Sequence, residues 1–304
     1  MPTEPIRKLD WLTEYFDCID KEITAIFPRS PTTTLERAVV DSLSSRGKRV
    51  RAVLALLWCE LFSDDYGAAV PAAIAYELAH ASALVQDDVL DASDMRRGEN
   101  SIVAKYGLSN AILASDLLLF YVPKLIAKYY ALESRKLSKL FDLLGEACRA
   151  ATWGEFLDME IALRNSNDLS ELDYEEMIRS KTSALLAAPC ASGAIIGGAP
   201  EEGVTLAYKF GEWIGMAYQV QDDTLDLMGD KETLGKPIFT DLRTGKKNIV
   251  LIHCLNHCSE EERKFLASLV NRNGEYDQDE ITRARQISKP TAQSAMDWQD
   301  RRST

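Results

Sequence analysis

Long stretches of the chain are apolar at almost every position, broken by short polar runs. Residues 71–94, PAAIAYELAHASALVQDDVLDASD, are rich in Ala and Leu, with no Gly and no Pro after the first position. That composition favours helix, and Pro71 suits a first helical turn, where a missing N–H loses no bond. Residues 110–132 read as a second long apolar helix, in which Pro123 predicts a kink or a break. Further helices are expected over 136–164 and 173–197, parted by the polar loop RNSNDLSE, and over 203–229 and 247–257. No run alternates polar and apolar residues between turn signals, so strands are not expected.

A helix that is apolar nearly all round must be buried or must line a cavity. The pattern therefore predicts an all-α protein, a large helical bundle whose central helices are enclosed by others around a central cavity. No segment reads as a linker, so residues 1–304 are expected to form a single domain. From about Asn271 the chain turns polar and loses its periodicity, ending ISKPTAQSAMDWQDRRST. Residues 271–304 are accordingly expected to be a weakly structured tail.

Charge changes this picture. The formal net charge is −12, which argues against nucleic-acid binding, because that needs a basic surface. Anionic small-molecule substrates stay compatible if the acidic groups bind divalent cations that in turn hold the anion. The six cysteines include no Cys-x-x-Cys pair, the N-terminal segment is charged throughout, and no run of 18 or more apolar residues occurs. The expectation is a reduced, cytoplasmic protein without a transmembrane segment.

Two acidic clusters share the pattern Q-D-D-x-L-D: Asp87, Asp88 and Asp91 in QDDVLD, and Asp222, Asp223 and Asp226 in QDDTLD. On a helix, residues i and i+4 lie one above the other, so each cluster presents two carboxylates on one face. Burying such a pair on an apolar helix is costly unless a cation neutralises it, and Mg2+ takes oxygen ligands and shares its shell with phosphates. Two solvated, Asp-rich helix ends are the plainer alternative, which the duplication on apolar helices disfavours. Basic residues stand near: Lys48, Arg49 and Arg51 in SSRGKRVRAVL, Arg96 and Arg97 in MRRGEN, Lys181 beside Thr182 in RSKTSALL, and Lys236, Lys246 and Lys247 in LGKPIFTDLRTGKKN. Singly each reads as a surface charge; with the carboxylates they suggest a site for more than one diphosphate.

In these motifs and their order the chain resembles the trans-prenyl diphosphate synthases, the family of geranylgeranyl and polyprenyl diphosphate synthases. GKRVR is similar to the family's Gly-Gly-Lys-Arg element, ELAHASALVQDDVLDASDMRRG to its first aspartate-rich motif, KTSALL to its Lys-Thr-Gly element and YQVQDDTLDLMGDKETLGKP to its second aspartate-rich motif. The resemblance runs from about residue 35 to about residue 260. It implies an isoprenoid synthase fold, a homodimer, and condensation of isopentenyl diphosphate with an allylic diphosphate. It implies that Lys48, Arg51, His80 and Arg97 bind the diphosphate of isopentenyl diphosphate. Arg96, Lys181, Gln219, Lys236 and Lys246, with Thr182 beside them, would hold the allylic diphosphate. Asp87, Asp91 and Asp222 would ligate Mg2+, three ions in all, with Asp88, Asp223 and Asp226 in support. Phe239 and Asn248 depart from the family's usual glycine and Thr or Ser.

Several residues admit a plainer reading. A lone His on an Ala-rich face is usually a satisfied core residue, but His80 lies two turns before Asp87 on the same face. In IHCLNHC, the pair His253 and His257 and the pair Cys254 and Cys258 point about 100° apart on a helix, so an ordinary core helix is favoured over a zinc site. Ser82 and Ala83, one turn below Asp87, are small where the family carries bulky residues if the product is short, which implies a product of twenty to twenty-five carbons or longer. Tyr76, Phe120 and Tyr121 are the expected stoppers deeper down. Two rival activities remain. A class I terpene cyclase consumes an allylic diphosphate alone and usually lacks the second acidic motif. A non-catalytic subunit of a heteromeric synthase would not need both motifs intact.

Overall fold

The computed structural model describes residues 12–27, 30–44, 47–130, 134–165, 168–229, 239–272 and 276–302, with backbone alone from 291 onward. The described residues form α1 (Thr13–Ile26), α2 (Thr34–Ser44), α3 (Val50–Glu60), α4 (Val70–Leu90), β1 (Met95–Arg96), β2 (Glu99–Asn100), α5 (Ile102–Tyr106), α6 (Leu108–Tyr130), α7 (Ser134–Leu163) and α8 (Glu171–Ile178). A π-helical turn, Arg179–Ser183, leads into α9 (Ala184–Gly197), followed by α10 (Glu201–Met228), α11 (Thr240–Thr244), α12 (Ile249–His257), α13 (Glu260–Leu269) and α14 (Gln278–Arg302). The protein is all-α. The exception to helix among the described residues is a hairpin of two-residue strands, paired Met95 with Asn100 and Arg96 with Glu99. Its turn residues Arg97 and Gly98 both have positive φ, 54° and 82°, the backbone that a two-residue hairpin turn requires.

The chain packs as two compact units, residues 1–149 with 185–211 and residues 150–184 with 212–304. In the first, α4 is the central helix. Ala72, Ala73, Ala75, Leu78 and Tyr76 are each at most 1% exposed, so α4 is buried around most of its circumference, as its all-round apolar sequence predicts. α4 and α6 are long and apolar enough to cross a membrane by composition, but α4 is a core helix. α6 runs through Pro123 as one helix, where the sequence predicts a kink or break. Leu118, Val122, Leu125 and Ile126 stay buried on both sides of the proline, and that packing outweighs one lost backbone bond.

The second unit centres on Tyr174, Ile178, Met216, Leu227, Phe239, Ile252 and Leu266. Serine caps start two of its helices. Ser170 and Asp173 form a reciprocal capping box on α8, and Ser259 and Glu262 form one on α13. Lys247 is buried and donates to the carbonyls of Ile161, Ala162 and Arg164 at 3.0, 2.7 and 2.7 Å, closing the C-terminal end of α7. The polar stretch after Asn271, expected to be a weak tail, is helical over Gln278–Arg302. Its polarity reflects one-sided burial. Ala284 and Ser288 face the core, Tyr276 packs on Phe239 with ring centroids 5.8 Å apart, and Arg285 donates to the Leu227 carbonyl at 3.2 Å.

Candidate active site

In the first unit the acidic motif closes α4. Asp88 is 2% exposed, Asp87 is partly covered, and Asp91 is exposed, its N–H bonded to the Asp87 carbonyl at 2.9 Å. The hairpin that follows returns Arg96 over the motif. Its Nη2 lies 2.5 Å from Asp87 Oδ2 and its Nε 2.6 Å from Asp88 Oδ1. Burial still pushes the Asp88 carboxyl up, against the pull of Arg96. Arg97, at the tip, points elsewhere: a Cβ on Gly47 would lie 3.1 Å from Arg97 Nη1, so this guanidinium meets the Gly47–Lys48 loop. His80 sits within the same basic group. Its pKa falls well below the usual 6.5, first through burial and then through Arg51, Arg97, Arg96 and Arg49. A neutral imidazole surrounded by guanidinium groups is a natural receptor for an anion.

The basic residues of GKRVR divide. Arg49, at φ 45°, turns inward to Glu77 at 3.5 Å and Asp20 at 3.2 Å, and donates to the Leu43 carbonyl. Lys48 is exposed and Arg51 half-buried. Ser82 is 2% exposed and bonds Ser115 of α6, with its hydroxyl 2.9 Å from the Ser115 hydroxyl. Ala83 is half-buried. Of the expected stoppers, Tyr76 is buried with its hydroxyl 2.8 Å from Ser192, while Tyr121 packs on Phe27 with the rings tilted by 59°. Phe120 is 72% exposed and closes nothing among the described residues, because it lies on the solvent side of α6.

In the second unit the π turn sets Lys181 and Thr182. A π turn widens the helix by one residue and turns its side chains out of the regular register. α7 passes so close that a Cβ on Gly154 would lie 2.1 Å from the Lys181 nitrogen. Lys181 Nζ reaches Glu155 at 2.9 Å and Asp158 at 2.6 Å, and Lys246 Nζ lies 3.9 Å from the same Asp158. Two ammonium groups thus converge on one carboxylate. Thr182 donates to Gln219 Oε1 at 2.9 Å, and Gln219 donates to Asp223 Oδ1 at 2.9 Å.

The three aspartates of the second motif are held differently. Asp223 is buried and accepts from Gln219, from the Tyr174 hydroxyl at 2.5 Å and from the Ile249 N–H at 3.2 Å. Asp226 is buried and accepts from the N–H groups of Thr240 and Asp241 at 3.0 and 3.2 Å and from the Thr240 hydroxyl. Asp222 is half-buried. Burial, reinforced by neighbouring carboxylates, raises the pKa of both Asp223 and Asp241. A hard divalent cation suits such a set: oxygen donors only, with more negative charge than the local cations balance.

The model of the polyprenyl synthetase family matches residues 32–287. The chain belongs to that family. It is 36% identical to the short chain isoprenyl diphosphate synthase of Methanocaldococcus jannaschii over 277 residues, 91% of this chain and 82% of that protein. It is 35% identical to the geranylgeranyl diphosphate synthase of Sulfolobus acidocaldarius over 270 residues, 87% of this chain and 81% of that one. Its fold is similar to the crystal structure of a geranylgeranyl pyrophosphate synthetase from Pyrococcus horikoshii, with a TM-score of 0.86 at 28% identity, covering 95% of this chain and 86% of that one. The protein is therefore a prenyl diphosphate synthase, a prenyltransferase of isoprenoid biosynthesis with the all-α isoprenoid synthase fold.

Two of the places where the chain departs from the usual polyprenyl synthetase pattern have a structural account. Phe239 stands at φ 60°, in the left-handed region that favours the glycine usual there, and its burial against Tyr276 holds it in place. Asn248 caps α12 by accepting from the Leu251 N–H at 3.0 Å, while its amide donates to Asp241 at 2.9 Å. A Ser or Thr can cap in the same way. Glu155, Asp158, Tyr174 and Asp241 carry no assignment from the sequence. Glu155 and Asp158 lie among seven other charged residues of α7, so nothing in the sequence singles them out. Lys236 lies outside the described residues.

Proposed function

We propose that this prenyl diphosphate synthase condenses isopentenyl diphosphate with an allylic diphosphate, in the presence of Mg2+, to a trans-prenyl diphosphate of about twenty carbons or more. The observation that carries the reading is the pairing of carboxylates with unevenly placed cations: Arg96 on Asp87 and Asp88, arginines around a neutral His80, and Lys181 and Lys246 on Asp158. Asp87 and Asp91 of the first motif and Asp222 of the second are the proposed Mg2+ ligands, for three ions. Bound Mg2+ would supply Lewis-acid charge that weakens the bond to the leaving diphosphate. Asp88, Asp223 and Asp226 hold that framework, their oxygens engaged by protein donors.

In this reading Lys48, Arg51, His80 and Arg97 receive isopentenyl diphosphate. Arg96, Lys181, Thr182, Gln219, Lys236 and Lys246 receive the allylic diphosphate. Lys181 and Lys246 exchange Asp158 for substrate oxygens, so positive charge is already positioned where negative charge develops. The reaction requires that water be kept from the allylic cation, whose quenching would end it. We read the protein as a cytoplasmic homodimer, with a second copy covering Leu108, Ile112, Leu113 and Phe120, which α6 leaves exposed.

Product length follows from the face of α4 below Asp87. Ala83 and Ser82 are small there, His80 on the same face is taken up by the proposed diphosphate receptor, and Tyr76 lies three turns or about 16 Å below Asp87 along the axis. Ser82→Phe, with Ala83→Phe as its companion, is expected to shift products toward shorter chains with turnover retained. Chromatographic sizing reads the shift. Unchanged products in both variants would show that this face does not measure the chain.

A further inference from the structure

A second cluster of ligand-type side chains lies in the second unit, away from both acidic motifs in sequence. On α12 the imidazoles of His253 and His257, one turn apart, stack with centroids 4.1 Å apart and planes inclined by 22°. Glu171, the first residue of α8, meets His253 through a contact of its Oε1 with Nδ1. Ligand atoms of Glu171, His253 and His257 all lie within 4.8 Å of one another. The cysteines of IHCLNHC take no part: Cys254 is buried with its sulfur toward the Ile287 carbonyl. The helix thus separates the histidines from the cysteines, and α8 supplies a carboxylate in their place.

From this geometry we infer a binding site for a borderline divalent transition-metal ion of the Zn2+ class, made by Glu171, His253 and His257. Two imidazole nitrogens and one carboxylate oxygen select such ions over Mg2+, which takes oxygen ligands. His257 Nδ1 donates to the His253 carbonyl at 2.9 Å, which leaves Nε2 unprotonated and able to ligate in the neutral ring. The frame is fixed without the ion. Asn256 donates to the Leu169 carbonyl at 3.1 Å, and the capping box of Ser170 and Asp173 sets the start of α8. His253 and Glu171 are 21% and 29% exposed and His257 is exposed, so solvent ions have access.

The site has a structural consequence. Tyr174 lies one turn beyond Glu171 on α8, and Ile249 one turn before His253 on α12. Both donate to the same oxygen of Asp223. An ion bridging Glu171 to the two histidines ties together the two helices that grip the second acidic motif. It acts as a staple outside the chemistry.

The test is titration of the untagged full chain with Co2+ in excess Mg2+, followed by absorption spectroscopy, and with Cu2+ followed by electron paramagnetic resonance. The chain has three histidines, and His80 sits among arginines that repel a cation, so a nitrogen-ligated ion reports on His253 and His257. Expected are one nitrogen-coordinated ion per chain and a Zn2+-dependent rise of about 2 °C or more in melting midpoint. Both effects should vanish in His257→Gln and in Glu171→Gln, with prenyl transfer in Mg2+ unchanged. No nitrogen coordination in the wild-type chain, or an undiminished signal in His257→Gln, which alters an exposed side chain, would overturn the site.

Discussion

Asp222, Asp223 and Asp226 share one motif but differ in what holds them. Asp226 accepts two backbone N–H groups at the start of α11 and a hydroxyl, all from residues of its own unit. Removing it leaves three half-buried donors without their acceptor, so Asp226→Ala is expected to lower stability by about 1–3 kcal/mol, besides any loss of activity. Asp222→Ala removes a half-buried carboxylate assigned to the cation. It is expected to lower turnover by at least about 100-fold while leaving the denaturation midpoint near that of the wild-type chain. Denaturant titration beside steady-state rates separates the two, and a destabilised Asp222→Ala with normal turnover would reverse the assignment. His80 offers a second test at this scale. Its folded pKa lies below the ordinary 6.5, so near pH 6 the unfolded chain binds a proton that the folded chain refuses. Stability contributed by the neutral ring is present above pH 6.5 and is lost as the pH falls below it. Nitrogen chemical shifts at pH 6 should show a neutral His80; a protonated ring would mean that the guanidinium groups do not surround it.

At the scale of elements, the π turn Arg179–Ser183 and α7 form one device. Gly154 lets α7 approach the Lys181 backbone, and no side chain fits there. Gly154→Ala is expected to force the two apart, costing about 1–3 kcal/mol in urea unfolding and lowering turnover through a displaced Lys181. Wild-type stability and rate in this variant would show that the approach is not needed. The long helices were legible in the sequence because apolar composition persisted over twenty residues or more, far beyond strand length. The π turn was not, because RSKTS has no hydrophobic period to read. The helix over Gln278–Arg302 was hidden for a related reason. A helix that buries only a narrow stripe, here including Ala284 and Ser288, looks polar when read as composition. Pro123 misled in the opposite direction, since a local backbone rule gave way to packing.

For the whole molecule, the acidic balance of −12 and the choice of anionic substrates are reconciled by the cations proposed for the two Asp motifs. These motifs were legible because their spacing is local. The groups that orient the site were not. Asp158 reaches Lys181 across 23 positions and Tyr174 reaches Asp223 across 49, and neither separation leaves a mark in one sequence. The same holds for Glu171 and His253, 82 positions apart. The most direct test is to incubate the purified chain with labelled isopentenyl diphosphate and an allylic diphosphate, with Mg2+ or with EDTA, and to size the products. The account predicts products extended by five-carbon units, formed only when both substrates and Mg2+ are present. Consumption of the allylic diphosphate without isopentenyl diphosphate, or full activity in EDTA, would contradict it.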